Sequence, residues 1–195
     1  RISSAPHQNS YEKLKELVGP ENSQAYAPET VSFLTTAIFN FEQNGKNLNF
    51  DYAPVSVQIV KGLEFEFRRL FRNLFKGQDE TIFNLEKTDD LRLINFVNGD
   101  DTAVTLGFLI RELRRARNSE YNPHKFIKEK LMSIEAEMLF SKKTVSFIEN
   151  DVLKKFRNGG AHDSFIGLDI CELCIKSLIG DSNSRGLIAS FATAA

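Results

Sequence analysis

The chain has 195 residues, 42% of them hydrophobic and 26% charged, a balance that fits one ordinary globular domain and excludes disordered and fibrous classes. Its 25 basic and 26 acidic residues leave a net charge of −1, which excludes a polycation that coats nucleic acid along its whole length. No apolar run approaches the roughly 18 residues that a membrane-spanning helix needs, and the opening RISSAPHQNS has no apolar signal core. A cytoplasmic protein without membrane partners is expected. The chain starts at Arg1 rather than Met, which leaves open a processed product or a piece of a longer protein with further domains or a regulatory partner.

Helical periodicity dominates the readable segments. Tyr11, Leu14, Leu17 and Val18 predict a short amphipathic helix stopped at Gly19-Pro20, within an N-terminal extension over 1–27. A second helix is predicted from Pro28 to Asn44 and ended by Gly45, and a third and longest from Pro54 to Phe75, with Ile59, Leu63, Phe67, Leu70, Phe71 and Leu74 recurring at three and four residues. Over 76–102 the pattern breaks into polar residues with two short alternating runs, Thr81 to Leu85 and Leu91 to Phe96. This stretch reads as an insertion for which a small hairpin is the regular form on offer. Thr105 is the expected N-cap of a helix that buries Leu106, Leu109, Ile110 and Leu113 and turns its arginines outward. Further helices are predicted from Pro123 to Met138, from Thr144 to Phe156 and from Leu168 to Ile179, the last with Asp169 and Glu172 spaced as a capping box. The tail over 181–195, rich in small residues, reads as loosely held. The fold class is all-α: six or seven helices in a single domain over 1–195, with the 17 Phe as core filler.

Little of this carries chemistry. Three histidines, His7, His124 and His162, are too few for a histidine-built metal site without other ligands, and phosphate-loop, dinucleotide and hydrolase-elbow motifs are absent from the sequence. Cys171 and Cys174 fall one turn apart on one helix face, and without a second pair they read as small core residues rather than as a redox or metal site. What remains is Arg157-Asn158-Gly159-Gly160-Ala161-His162-Asp163. An arginine fork can hold a phosphate and stabilise charge building on it, and an imidazole can take a proton from a ribose 2′-hydroxyl or give one to a leaving 5′-oxygen. The same residues also read as a helix C-cap at Gly159-Gly160, with Arg157 on the helix dipole.

Arg157 to His162 fits the R-x4-6-H motif of the HEPN superfamily (higher eukaryotes and prokaryotes nucleotide-binding domains), with a polar residue, Asn158, after the arginine. The run Val152-Leu153-Lys154-Lys155-Phe156 leading into it and the helix following it are similar too. Val57 to Glu66 resembles the long early helix of that fold, where an acidic residue supports the site; Glu64 is the nearest match. The resemblance spans roughly residues 28 to 180. It implies a helical bundle that dimerises so that two motifs form one composite site. In active members that site is a metal-independent, cofactor-free endoribonuclease of defence, stress or toxin systems. Arg157 would stabilise the scissile phosphate, His162 would move the proton or orient the 2′-hydroxyl, and Asn158 would position one of them. A non-catalytic nucleotide- or RNA-binding or dimerisation module of a larger protein is the alternative. Toxins of the family that are silenced on a tyrosine carry R-x4-H-x-Y, whereas Ser164 stands at that tyrosine's place here, so that regulation is not expected.

Charge distribution agrees with a local RNA site. Val104 to His162 holds 12 Lys and Arg against 7 Asp and Glu, a charge of +5, while the rest of the chain carries −6. Arg111, Arg114, Arg115, Lys154 and Lys155 are the expected RNA-backbone contacts, with Arg117, Lys142 and Lys143 in the same basic stretch.

Overall fold

Proline and glycine set the helix boundaries in the first third of the chain. In the computed structural model, which describes residues 5–158, 165–181 and 183–195, α1 (Ala5–Val18) stops at Gly19 and α2 (Pro20–Ala25) restarts on a proline at its first turn. Helix α3 (Pro28–Asn44) also begins on proline, and Gly45, at φ 53°, turns the chain out of it while its N–H donates to the Glu42 carbonyl. The long amphipathic repeat forms α4 (Ala53–Phe75), with Ile59, Leu63, Phe67, Leu70 and Phe71 fully buried.

The remaining helices are α5 (Thr88–Val97), α6 (Leu106–Ala116), α7 (Asn122–Ser133), α8 (Lys142–Phe147, continuing in π-helical form over Ile148–Asn158), α9 (Leu168–Cys174, continuing likewise over Ile175–Ile179) and α10 (Leu187–Ala194). Thr105 caps α6 as expected, its hydroxyl accepting the Phe108 N–H. The fold is all-α. Among the described residues there are ten α-helices, and the strands are β1 (Gly180–Asp181) and β2 (Ser184–Arg185), an antiparallel pair of two residues each.

Three expectations are corrected. The 76–102 stretch is not a hairpin: a 3₁₀ turn over Glu80–Ile82, capped by the Asp79 carboxylate on Thr81 N–H, leads into α5. Its Leu93, Ile94 and Phe96 are buried one and three residues apart, the spacing of a helix face and not of a strand. The tail is not loose, because α10 buries Ile188, Ala189, Phe191 and Ala192 along one helical stripe. Within the N-terminal extension, α1 packs on α3, Leu14 is fully buried, and Lys13 is ion-paired with Glu42. The capping box at Asp169 and Glu172 is not formed; Gly167 is the N-cap of α9, without a side-chain hydrogen bond.

Where the sequence reads as one domain, the contacts gather the chain into two units, residues 1–66 with 150–193 and residues 67–149 with 194–195. In the first, Glu66 is fully buried on α4 and accepts the N–H of Ala27, the N-cap of α3, at 2.8 Å. A carboxylate at that end of a helix is favoured by the exposed N–H groups and the helix dipole. Burial, then Glu66, push the Tyr26 hydroxyl to a higher pKa, with Arg185 acting against them. In the second unit α6 packs on α7, Phe75 lies against Phe83 and Phe126, and Arg68 and Arg72 reach the Asp101 carboxylate at 3.4 and 2.7 Å.

Candidate functional site

Arg157 is the penultimate residue of the π-helical part of α8, held there because Val152 and Phe156 are fully buried. π-helical turns are rare and are frequent at functional sites. On α4 the buried Leu63 fixes the register that sets Glu64 beside it. Arg157 Nη2 lies 3.6 Å from Glu64 Oε2, an ion pair without a hydrogen bond, with the arginine side chain 40% and the glutamate 19% exposed. The guanidinium is therefore oriented by a carboxylate and still open to a ligand.

The chain is fixed again just past the motif. Tyr52 N–H donates to the Ile166 carbonyl at 2.9 Å, and Ile166 N–H donates to Asp51 Oδ1 at 3.0 Å, while the same oxygen accepts Ala53 N–H at the start of α4. Both flanks of the motif are thus tied to α4 and the turn before it. Asn158 ends α8, but its side chain, residues 159–164 and with them His162 lie outside the described residues. Phe165, next to the motif, carries no signal in the sequence that separates it from the other phenylalanines. At 59% exposure it is the one largely exposed aromatic ring among the described residues, open to solvent.

The expected RNA contacts divide between the two units. Lys154 and Lys155, near Arg157 on α8, are exposed and bonded to Asn150 at 2.9 Å and Asp151 at 2.6 Å, one turn back. Arg111, Arg114 and Arg115, on α6 of the other unit, are already engaged: Arg111 and Arg115 share Asp89 at 2.8 and 3.0 Å, and Arg114 pairs with Glu149 at 3.0 Å. Burial would raise the Asp89 carboxyl, but Arg115 and Arg111 outweigh it and hold the group below its ordinary range. Much of the local positive excess is therefore spent on protein carboxylates.

Cys171 and Cys174 are fully buried and unbridged. Burial pushes the Cys171 thiol up to about 12 and Cys174 further in the same direction, so both behave as core residues. A thiol titration with a disulfide reagent at pH 7 is expected to find no fast-reacting group in the native protein and two after denaturation. Rapid native labelling of either would show that the core opens there. Among the described residues no group of three or more His, Cys, Asp or Glu is arranged to hold a metal ion, and no helix is long and apolar enough to cross a membrane.

The charged cluster of Glu112, Ser119 and His124 in the second unit escapes sequence reading altogether. Its one signal is Glu112 itself, which falls on the buried face of α6 with Leu109, Leu113 and Ala116. Compared with known proteins, the chain matches no protein-family model, no curated protein and no solved structure.

Proposed function

We propose that the chain is a HEPN-like, metal-independent endoribonuclease acting as a homodimer, in a bacterial defence, stress-response or toxin system. The observation that supports it is the Arg157–Glu64 pair, which joins the motif arginine to the acidic residue expected on the long early helix, 93 positions away. In this reading the Arg157 fork takes two oxygens of the scissile phosphate. His162 removes the ribose 2′-hydroxyl proton as that oxygen attacks phosphorus, and the imidazolium returns it to the 5′-oxygen as the phosphorus–O5′ bond breaks, giving a 2′,3′-cyclic phosphate and a 5′-hydroxyl. Asn158 positions one of the two groups, Lys154 and Lys155 hold the flanking phosphates, and Phe165 stacks a neighbouring base. RNA needs no cofactor for this reaction, because the nucleophile is its own hydroxyl.

The test is incubation of purified protein with mixed RNAs in a metal chelator, together with a light-scattering mass. Cleavage with cyclic-phosphate ends, lost in His162→Ala and in Arg157→Ala, and a dimeric mass are expected. Equal cleavage by wild type and His162→Ala overturns the catalytic assignment. RNA or nucleotide binding that requires Arg157 without cleavage at any RNA concentration replaces it with the binding-module reading.

A further inference from the structure

Residues 67–149 contain a second constellation, unrelated to the motif. Glu112 (α6) and His124 (α7) are both buried, and Glu112 Oε2 lies 2.7 Å from His124 Nε2. Arg111 and Arg115 donate to the other Glu112 oxygen at 3.3 and 3.0 Å, which fixes the carboxylate in place. A carboxylate only accepts, so in the neutral imidazole Nε2 carries the proton and the Nδ1 lone pair is left to accept. Ser119 Oγ stands 3.2 Å from Nδ1, and the same oxygen accepts the Tyr121 N–H at 3.1 Å. With one lone pair so used, the hydroxyl proton has the imidazole as its directed acceptor. The Tyr121 ring meets the His124 ring at 67° with centroids 5.4 Å apart, and its own hydroxyl is bonded to Asp90 at 2.5 Å, which fixes the imidazole from a second side.

Glu112, Ser119, Tyr121 and His124 line an open cleft of about 830 Å³ whose walls also carry Lys87, Arg114, Arg115 and Arg117. Lys87 lies over the Tyr121 ring, Arg114 pairs with Glu149 and Arg115 with Asp89 and Glu112. Arg117 has no carboxylate within ion-pair distance among the described residues. A half-buried serine aimed at an imidazole that is itself held by a buried carboxylate is the arrangement of an activated nucleophile. Relative to serine hydrolases the two ring nitrogens exchange roles, which leaves the base chemistry the same.

We infer that Ser119 is a nucleophile activated by His124, with Glu112 as positioning residue, in a site for esters that carry a negative charge. Ser119 Oγ attacks the ester carbonyl while its proton moves to His124 Nδ1; the carbon–oxygen bond to the alcohol breaks, and the alcohol leaves with that proton. Water then attacks the acyl-serine with His124 again as base, releasing the acid and restoring the hydroxyl. Arg117 supplies the charge that selects an anionic substrate.

The test treats the full chain with a fluorophosphonate probe, in which the Oγ–P bond forms and fluoride leaves, and locates the adduct by mass spectrometry. One adduct per chain at Ser119 is expected, absent in Ser119→Ala and in heat-denatured protein. The labelling rate should fall about 100-fold in His124→Asn, the size of a lost general base. If His124→Asn loses its helical circular dichroism, Glu112→Gln is read instead. There the pH–rate profile should move to lower pH, because the imidazolium loses its counter-charge while Tyr121, Arg111 and Arg115 stay in place; a purely structural role would leave the profile where it was. Hydrolysis of p-nitrophenyl hydrogen succinate should exceed that of p-nitrophenyl acetate, and Arg117→Ala should remove the difference. No adduct on the folded wild type, an adduct elsewhere, or labelling at Ser119 that ignores both His124→Asn and Glu112→Gln overturns the inference.

Discussion

Arg157→Lys is expected to slow RNA cleavage by about 100- to 1,000-fold, the range seen when one preorganised charge-stabilising donor is lost, with folding almost unchanged. Lysine keeps the charge but presents a compact point instead of a planar fork, so it meets one phosphate oxygen where arginine meets two. Folding is spared because the Arg157–Glu64 pair is 3.6 Å long and its arginine is 40% exposed; ion pairs of that kind contribute about 0–1 kcal/mol. Glu64→Gln should show a smaller loss, confined to kcat, since the glutamate orients the guanidinium and does not touch RNA in this reading. The check is steady-state cleavage of one defined RNA by the three proteins, with thermal melts alongside. Full activity in a folded Arg157→Lys would remove arginine-specific phosphate recognition from the mechanism.

How far the sequence discloses this molecule depends on whether a feature is local. Helix α3 is legible to the residue because Pro28 and Gly45 act through their own backbones, and the Thr105 cap because its partner, Phe108, is three residues away. Helix α5 misleads because Leu91-Arg92-Leu93-Ile94-Asn95-Phe96 alternates over too few residues to separate a period of two from one of 3.6. Part of what holds it is distant: the Asp90 carboxylate in its first turn accepts the Tyr121 hydroxyl from 31 positions away. Helix α10 was hidden by its small residues, whose burial depends on what packs over them and not on their size. In the candidate site Arg157 is visible as half of a motif, but its partner Glu64 is one of two carboxylates on α4, beside Glu66, and only the family resemblance points to it. The Glu112–His124–Ser119 cluster has no motif spacing, and by composition Glu112 is one acidic residue among 26.

Glu112→Ala should destabilise the unit formed by residues 67–149 by about 3–5 kcal/mol, the usual result of removing one partner from a buried ion pair. The carboxylate is 3% exposed and accepts from His124, Arg111 and Arg115. Asp89 can still serve the two arginines, but His124, 8% exposed in its side chain, keeps only Ser119, and a cavity opens where the carboxylate was. Glu112→Gln fills the same volume and still accepts a hydrogen bond, so its cost should be nearer 1–2 kcal/mol. Replacing both buried partners by apolar groups, as in Glu112→Met with His124→Phe, should recover much of the stability while abolishing Ser119 labelling, because the penalty lies in an unpaired buried polar group more than in the lost attraction. Denaturant melts of the three variants measure this order. A Glu112→Ala variant within about 1 kcal/mol of wild type would mean that water already reaches the carboxylate, and the double variant would then gain nothing over the single one.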